Sequence, residues 1–214
     1  MKKSILTFTF TLLAFATLAQ SLDSAQAANT SPTLNLSGPR MGFTFFTGED
    51  AKTLSAPTSE GGFDSRPVFF QMGYQFEKQY LSSGNFQGLV EFIPMISGMD
   101  QGYFIPSITL MNGFRNNRTG FEFAFGPTIN ISRETQKYEH EGKWYRPEDR
   151  PSETPVELKH KMDSRGYGRM KTYMVFAFGY SFKSGNLNIP VNAYLASSKN
   201  DPRVGISIGF NAWK

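Results

Sequence analysis

The chain has no cysteine in 214 residues, so no disulfide braces it and no thiolate is present as a nucleophile or metal ligand. No cysteine is available to carry a lipid anchor at a processed N-terminus either. Histidine is scarce: the two, His140 and His160, lie in one loop at a spacing that gives no metal signature. Past the first twenty residues no apolar run approaches the ~18 residues of a membrane-spanning helix. There is no glycine-rich phosphate loop and no nucleophile elbow. The net charge of +4 is too small to argue for nucleic acid. What is abundant is aromatic side chain and glycine: 21 Phe, 9 Tyr and 20 Gly in a chain only 39% hydrophobic. Many aromatics without long apolar runs suit alternating strands rather than membrane helices.

The N-terminus stands apart. Lys2 and Lys3 precede the apolar run ILTFTFTLLAFATLA (5–19), and Ala25-Gln26-Ala27 fits a small-x-small cleavage site. Residues 1–27 therefore read as a cleaved secretory signal peptide, too short and wrongly flanked for a stable membrane helix. The segment 28–38, ANTSPTLNLSG, is a flexible lead-in rich in Ser, Thr, Asn and Pro. An exported chain without disulfides must find its stability in packing or in a bilayer.

From 39 to 214 the sequence reads as one all-β domain of eight alternating segments, near 39–47, 66–80, 85–96, 103–114, 118–133, 168–182, 186–196 and 203–213. Most match the ~9–11 residues of a tilted membrane-spanning strand better than the ~5–6 of an average soluble one. The even-numbered connections are tight Gly/Asn/Ser turns, around Ser82-Ser83-Gly84, Asn116-Asn117 and Lys183-Ser184-Gly185. The odd ones are longer, at 48–65, 97–102, 134–167 and 197–202. In an up-and-down meander these two sets fall at opposite rims. An even strand count puts both ends of the domain at the tight-turn rim.

Residues 120–132, GFEFAFGPTINIS, show the alternation best: Phe121, Phe123, Phe125, Ile129 and Ile131 oppose Glu122, Ala124, Gly126, Thr128 and Asn130. The pattern repeats with Val68, Phe70, Met72, Tyr74 and Phe76, with Met174, Phe176, Phe178 and Tyr180, and with Val204, Ile206, Ile208 and Phe210. The third segment is less regular, with Leu89 and Ile93 on the polar parity. The opposite face carries Gly, Ala, Ser, Asn and Gln rather than the Lys, Glu and Arg that keep a water-facing strand soluble. Eight strands enclose an interior only just wide enough for side chains. A large apolar residue at nearly every inward position would overfill it, whereas small polar ones fit, so the bulky face is expected to meet lipid. The charges on the small-residue parity (Arg40, Glu77, Glu91, Glu122, Lys171 and Arg203) then form a candidate lumen polar network, paired because an unpaired charge there is costly. Glu122 is expected to pair with Lys171 on the next strand. Pro94, Pro106, Pro127 and Pro190 sit inside strands, where each removes a ladder donor, and are expected to mark bulges or strand ends near the rims.

With its leader, eight alternating segments, alternating loop lengths and aromatic last strand, the chain resembles the small eight-stranded outer-membrane barrels of the OmpA/OmpX type. In the final strand, Arg203, Gly205, Ile208 and Phe210 fit the spacing of that family's assembly signal, with the departure that the chain ends Ala212-Trp213-Lys214. The resemblance implies a transmembrane β-barrel in the bacterial outer membrane. Outer-membrane lipid is then expected as its partner, with no cofactor and a structural or surface-interaction role over a plugged polar lumen. The long loop is rich in charge of both signs, and Val156, Leu158, His160 and Met162 alternate with Glu157, Lys159, Lys161 and Asp163, as in strands that continue beyond the bilayer as a protruding hairpin. Tyr138, Trp144 and Tyr145 are its candidate contacts for an extracellular ligand, protein or headgroup.

Two rivals stand beside this reading. Some small outer-membrane barrels modify lipid A with His, Ser and an acid, and HKMDS places His160, Asp163 and Ser164 close together. Proximity in sequence supplies neither the Ser–His hydrogen bond nor the orienting acid that such catalysis needs, and no enzymatic role is expected. The other rival is a soluble exported barrel that holds a hydrophobic ligand.

Overall fold

The computed structural model describes residues 36–149, 156–184, 187–197 and 201–212. The leader 1–27, the lead-in as far as residue 35, parts of the fifth, sixth and seventh connections, Trp213 and Lys214 lie outside the described residues.

The strands are β1 (Gly38–Phe46), β2 (Val68–Ser83), β3 (Phe86–Ser97), β4 (Ile105–Asn116), β5 (Phe121–His140), β6 (Lys143–Tyr145), β7 (Lys159–Met162), β8 (Tyr167–Ser184), β9 (Leu187–Ser197), β10 (Arg203–Gly209) and β11 (Asn211–Ala212). Every pairing is antiparallel, in the order β1-β2-β3-β4-β5-β8-β9-β10, and β10 closes on β1 from Arg40↔Gly209 to Phe46↔Arg203. The result is a closed eight-stranded up-and-down barrel, as the alternation and the resemblance imply. β11 continues β10 past Phe210 and pairs with β9. β6 and β7 stand off the barrel on the long upper part of β5.

The turns explain why the meander closes where it does. Between β4 and β5 the Asn116 carboxamide oxygen accepts from the N–H groups of Arg118 and Thr119 (3.0 and 3.2 Å), and Gly120 takes a left-handed φ of 78°. Both described ends of the domain lie at this tight-turn rim. The opposite rim carries the long connections, and the first of these is not the plain loop the sequence suggests. It folds into a helix, α1 (Gly48–Ser55), whose first-turn N–H groups from Glu49 and Asp50 donate to the Asp201 carboxylate (3.0 and 3.3 Å). A carboxylate from the seventh connection thereby caps a helix from the first. Leu54 of α1 packs with Phe46, Phe69 and Met162 across the mouth.

The faces fall as period two requires. Each barrel strand exposes large apolar side chains, among them Phe43, Phe76, Phe92, Leu110, Phe121, Phe178, Leu195 and Ile206. Cross-strand aromatic contacts tie this belt together, such as Phe123–Phe178 at 5.0 Å and Phe43–Phe70 at 5.6 Å. The interior is less uniformly polar than the sequence suggests. Ile93, Met111, Ala124, Tyr173, Val175, Ala177 and Ala196 form a buried apolar tier across the middle of the lumen. The irregular Leu89 and Ile93 of the third segment are inward residues, both buried.

The prolines need correction. Register shifts only in the β2–β3 ladder, between Gln79 and Leu81, and not at a proline. Pro94 and Pro127 lie within their strands, with register unchanged on either side and ladder pairs missing beside them. A missing donor is therefore accommodated by a local gap rather than by a bulge. Pro106 does lie near a strand end, and Pro190 is buried in the lumen opposite Ser181.

Candidate functional site

The interior charges fall into two tiers with the apolar tier between them. The lower one, near the tight turns, centres on Arg115. Arg115 lies one residue beyond the fourth alternating segment, which ends at Phe114, and so is not among the lumen candidates read from sequence. Arg115 has no solvent-exposed surface, and its guanidinium grips Glu77 with two nitrogens (2.7 and 2.5 Å). Its Nε donates to Glu122 at 2.7 Å, and Glu122 also accepts from the Ser181 hydroxyl at 2.6 Å. Glu77 further accepts from Leu36 N–H and from the Gln75 amide, which ties the start of the described chain to the barrel floor. This is a bidentate, charge-assisted arrangement that suits Arg and not Lys. Arg40 donates to the Ser207 hydroxyl at 3.3 Å. The Asn192 carboxamide, turned so that its oxygen faces the guanidinium, accepts from both Arg40 amino groups at 3.1 and 2.9 Å. Glu91 is buried beside them, opposite Glu77 on the β2–β3 ladder.

Lys171 is not Glu122's partner. It sits at the upper tier, where its ammonium meets Glu134 at 2.7 Å and Asp50 at 3.8 Å. The register explains the correction: Lys171 pairs with Asn130, eight residues along β5 from Glu122, which pairs with Gly179. Arg203 completes this tier. It donates to Asp50 at 3.0 Å and to the Tyr173 oxygen at 2.6 Å, and its guanidinium lies 4.4 Å from the centre of the Phe46 ring and 4.5 Å from that of Tyr173. Asp50 comes from α1, so this tier fastens the helix over the barrel mouth.

Of the six lumen candidates, Arg40, Glu77, Glu91, Glu122 and Arg203 are buried inward, and Lys171 lies at the upper end. The partners Arg115, Asp50 and Glu134 were not singled out from sequence. Arg115 and Glu134 each carried a signal, because carrying the parity of the fourth segment one step past Phe114, and of the fifth one step past Arg133, points them inward.

Small inward residues make room for the side chains that cross the lumen. A Cβ at Gly179 would overlap the Asn192 amide, and one at Gly205 would overlap the Tyr194 ring. The void left in the barrel is about 100 Å³, bounded by residues such as Gln71, Met111, Tyr194 and Ser207. Three filled layers leave no wide channel along the axis.

A third cluster lies above the mouth. β5 runs to His140, and its upper part pairs with β7 and β6, so the protruding hairpin expected from the alternation at 156–163 forms. Asp163 is fully buried there. It accepts from Arg165 N–H, Nε and Nη2 (2.9, 3.0 and 3.0 Å) and pairs with Lys137 at 2.9 Å. Ser164 N–H donates to Gly61 O at 2.9 Å, which joins the fifth connection to the first. Burial alone would raise the Asp163 carboxyl pKa, but the Arg165 and Lys137 bonds outweigh it and hold the value at about 2. A depressed pKa contributes stability above the unfolded value of 3.8, and that contribution is lost as pH falls through about 2. We expect amide protection across residues 159–166, taken relative to the intrinsic exchange rate at each pH, to be high at pH 6 and to fall as pH falls from 4 to 2. Asp163→Asn should show low protection at both ends, with a loss of about 2 kcal/mol in local stability at pH 6. Equal protection of the native hairpin at pH 2 and 6 would refute this.

The loop candidates divide. Tyr138 is buried rather than available for contact, with its ring 6.1 Å from Tyr145. Trp144 and Tyr145 are partly exposed, and Lys161 stands 4.3 Å over the Trp144 ring. His160 is exposed and pairs with Gln136 on the β5–β7 ladder, while the Asp163 carboxylate is taken up by Arg165 and Lys137. The His–Ser–acid arrangement of the lipid-modifying rival is therefore not assembled among His160, Asp163 and Ser164. Among the described residues no group of three or more His, Asp or Glu side chains is placed to hold a metal.

No family model and no curated protein matches the chain. Among solved structures it is similar to Ail, the attachment invasion locus protein of Yersinia pestis, at 12% identity over 84% of this chain and 99% of that one, with a TM-score of 0.44. It is also similar to the outer membrane phospholipase A of Escherichia coli, at 13% identity over 88% of this chain and 95% of that one, with a TM-score of 0.28. Neither likeness bears on what the residues above do.

Proposed function

We propose that this protein is an integral barrel of the bacterial outer membrane, with a plugged lumen and a structural or surface-interaction role. The observation that carries the reading is the pairing of two faces. All eight barrel strands expose large apolar side chains, while Arg115, Glu77 and Glu122 are sealed inside. A water-soluble barrel has no reason to invert its faces, because contiguous exposed apolar patches on soluble monomers rarely exceed a few hundred Å². A lipid-facing barrel requires it. Outer-membrane lipid is then the partner of the belt. The protruding β5–β6 hairpin, with Trp144 and Tyr145, is the surface offered to an extracellular ligand or protein.

Heat-modifiable migration in detergent gels tests insertion as a closed barrel. The unheated protein should run ahead of the boiled one and should need detergent for extraction. Extraction into aqueous buffer would overturn the reading. Across a planar bilayer the wild-type protein should give no steady conductance, since the lumen is filled at three levels. Sustained channel steps would argue for a pore instead. The reading assigns no catalytic step: Ser164→Ala and His160→Ala should leave envelope lipid composition unchanged, and a loss of some lipid modification in both variants would revive the enzymatic rival.

A further inference from the structure

The barrel wall is incomplete at the long-loop rim. The β4–β5 ladder ends at the pair Ser107↔Asn130, although β5 continues to His140. The cause lies in the sequence. The Thr128 hydroxyl donates to Ile108 O at 3.3 Å, so Ile108 turns its backbone polar groups toward β5. Strand period two turns those of Pro106 the same way, and Pro106 has no N–H to give. Beyond it the strands part, and a pocket of about 460 Å³ opens through the gap. Its outer lip is Phe104, Ile131 and Arg133, of which Phe104 and Ile131 belong to the exposed apolar surface. Its inner wall is the apolar cluster under α1, which includes Leu54, Phe63 and Met162. The volume lies in the ~300–1,000 Å³ range of ligand pockets.

We propose that this lateral pocket takes an acyl chain of a phosphate-bearing membrane lipid, entering sideways from the leaflet at the long-loop rim. The inference rests on the membrane reading above. Two observations select the occupant. The pocket is continuous with the belt, so its mouth opens onto acyl chains, and its inner end is apolar. The exposed Arg133 supplies positive charge at the lip, on the long-loop side of the belt, where a headgroup phosphate of a lipid in that leaflet would meet it. Arg203 is held by Asp50, whereas among the described residues the Arg133 side chain makes one hydrogen bond, to Ser164 O at 3.3 Å, which leaves donors of its fork to turn outward. A water-borne apolar ligand would need an opening to solvent, and α1 covers the axial mouth.

The test uses the purified protein in nanodiscs of phosphatidylcholine doped with phosphatidylglycerol that carries a nitroxide near the end of one chain. With Trp144 and Trp213 replaced by Phe, a single reporter is introduced as Phe63→Trp inside the pocket or as Phe123→Trp in the belt. Tyr103→Trp serves as a second pocket reporter where Phe63→Trp fails to fold. Both sites should be quenched. Gly168→Phe adds a ring beside Ile131 at the mouth, where a Cβ meets Ile131 at an ordinary 3.5 Å. That variant should abolish quenching at the pocket and leave it intact at the belt. Arg133→Gln should weaken the apparent affinity of the labelled lipid for the pocket about fivefold. Quenching at the belt with none in the pocket would overturn this inference and leave the membrane reading standing. Quenching at neither site would overturn both.

Discussion

Arg115→Ala should cost about 3–5 kcal/mol of unfolding free energy, read as a shift in the urea midpoint of the protein in detergent micelles or vesicles. The side chain has no exposed surface and is shared by two carboxylates, Glu77 and Glu122. Truncating it removes the cation hydrogen-bonded to both and leaves Arg40 as the charge facing three lumen carboxylates, Glu77, Glu91 and Glu122. The loss is therefore mostly the penalty of stranded charge rather than the worth of the bonds themselves. That distinction is measurable. The triple change Arg115→Met, Glu77→Gln, Glu122→Gln removes the charges together and should recover most of the loss, whereas Arg115→Lys should recover only part, because an ammonium cannot reproduce the fork. If Arg115→Ala does not fold, recovery of folding in the triple variant carries the same information. An unchanged midpoint in Arg115→Ala would show that water reaches the lower tier.

Phe176→Arg should destabilise the inserted barrel by about 2–4 kcal/mol, the cost of a cation on the lipid face near the bilayer midplane. Phe176 lies at the centre of the exposed series from Met170 to Phe182 on β8, paired with Phe125 and Leu195 across the neighbouring strands. The sign separates the two environments. On a water-facing sheet the same change would leave stability nearly unchanged and raise solubility. Tyr167→Arg is the control: Tyr167 is 85% exposed at the rim end of β8 and should tolerate the charge, since the penalty falls toward the interface. Equal effects at both positions would count against a lipid belt.

Much of this molecule is legible in its sequence because the strand period is local. Phe121, Phe123 and Ile129 against Glu122, Ala124 and Thr128 is a statement about consecutive residues, and seven further segments say the same. The interior width of eight strands then argues which face is outside. Strand number, connection lengths and the inward placement of Arg40, Glu77, Glu91, Glu122 and Arg203 all follow from that reasoning.

Partnership is another matter. Which carboxylate meets which cation depends on stagger between strands, and no single segment carries that. Glu122 and Lys171 lie on adjacent strands with the right parity, yet the register sets them at different heights. Arg115 reaches Glu77 across 38 residues, and Arg203 reaches Asp50 across 153. The helix over the mouth, the apolar tier in the lumen and the parting of β4 from β5 above Ser107 are likewise products of closure. Alternation determined the two faces, and with strand number, connection lengths and the interior width of eight strands it argued for a barrel with the bulky face outside. Only the closed tertiary structure, by fixing shear and therefore height, decided which charges pair and where the wall stays open.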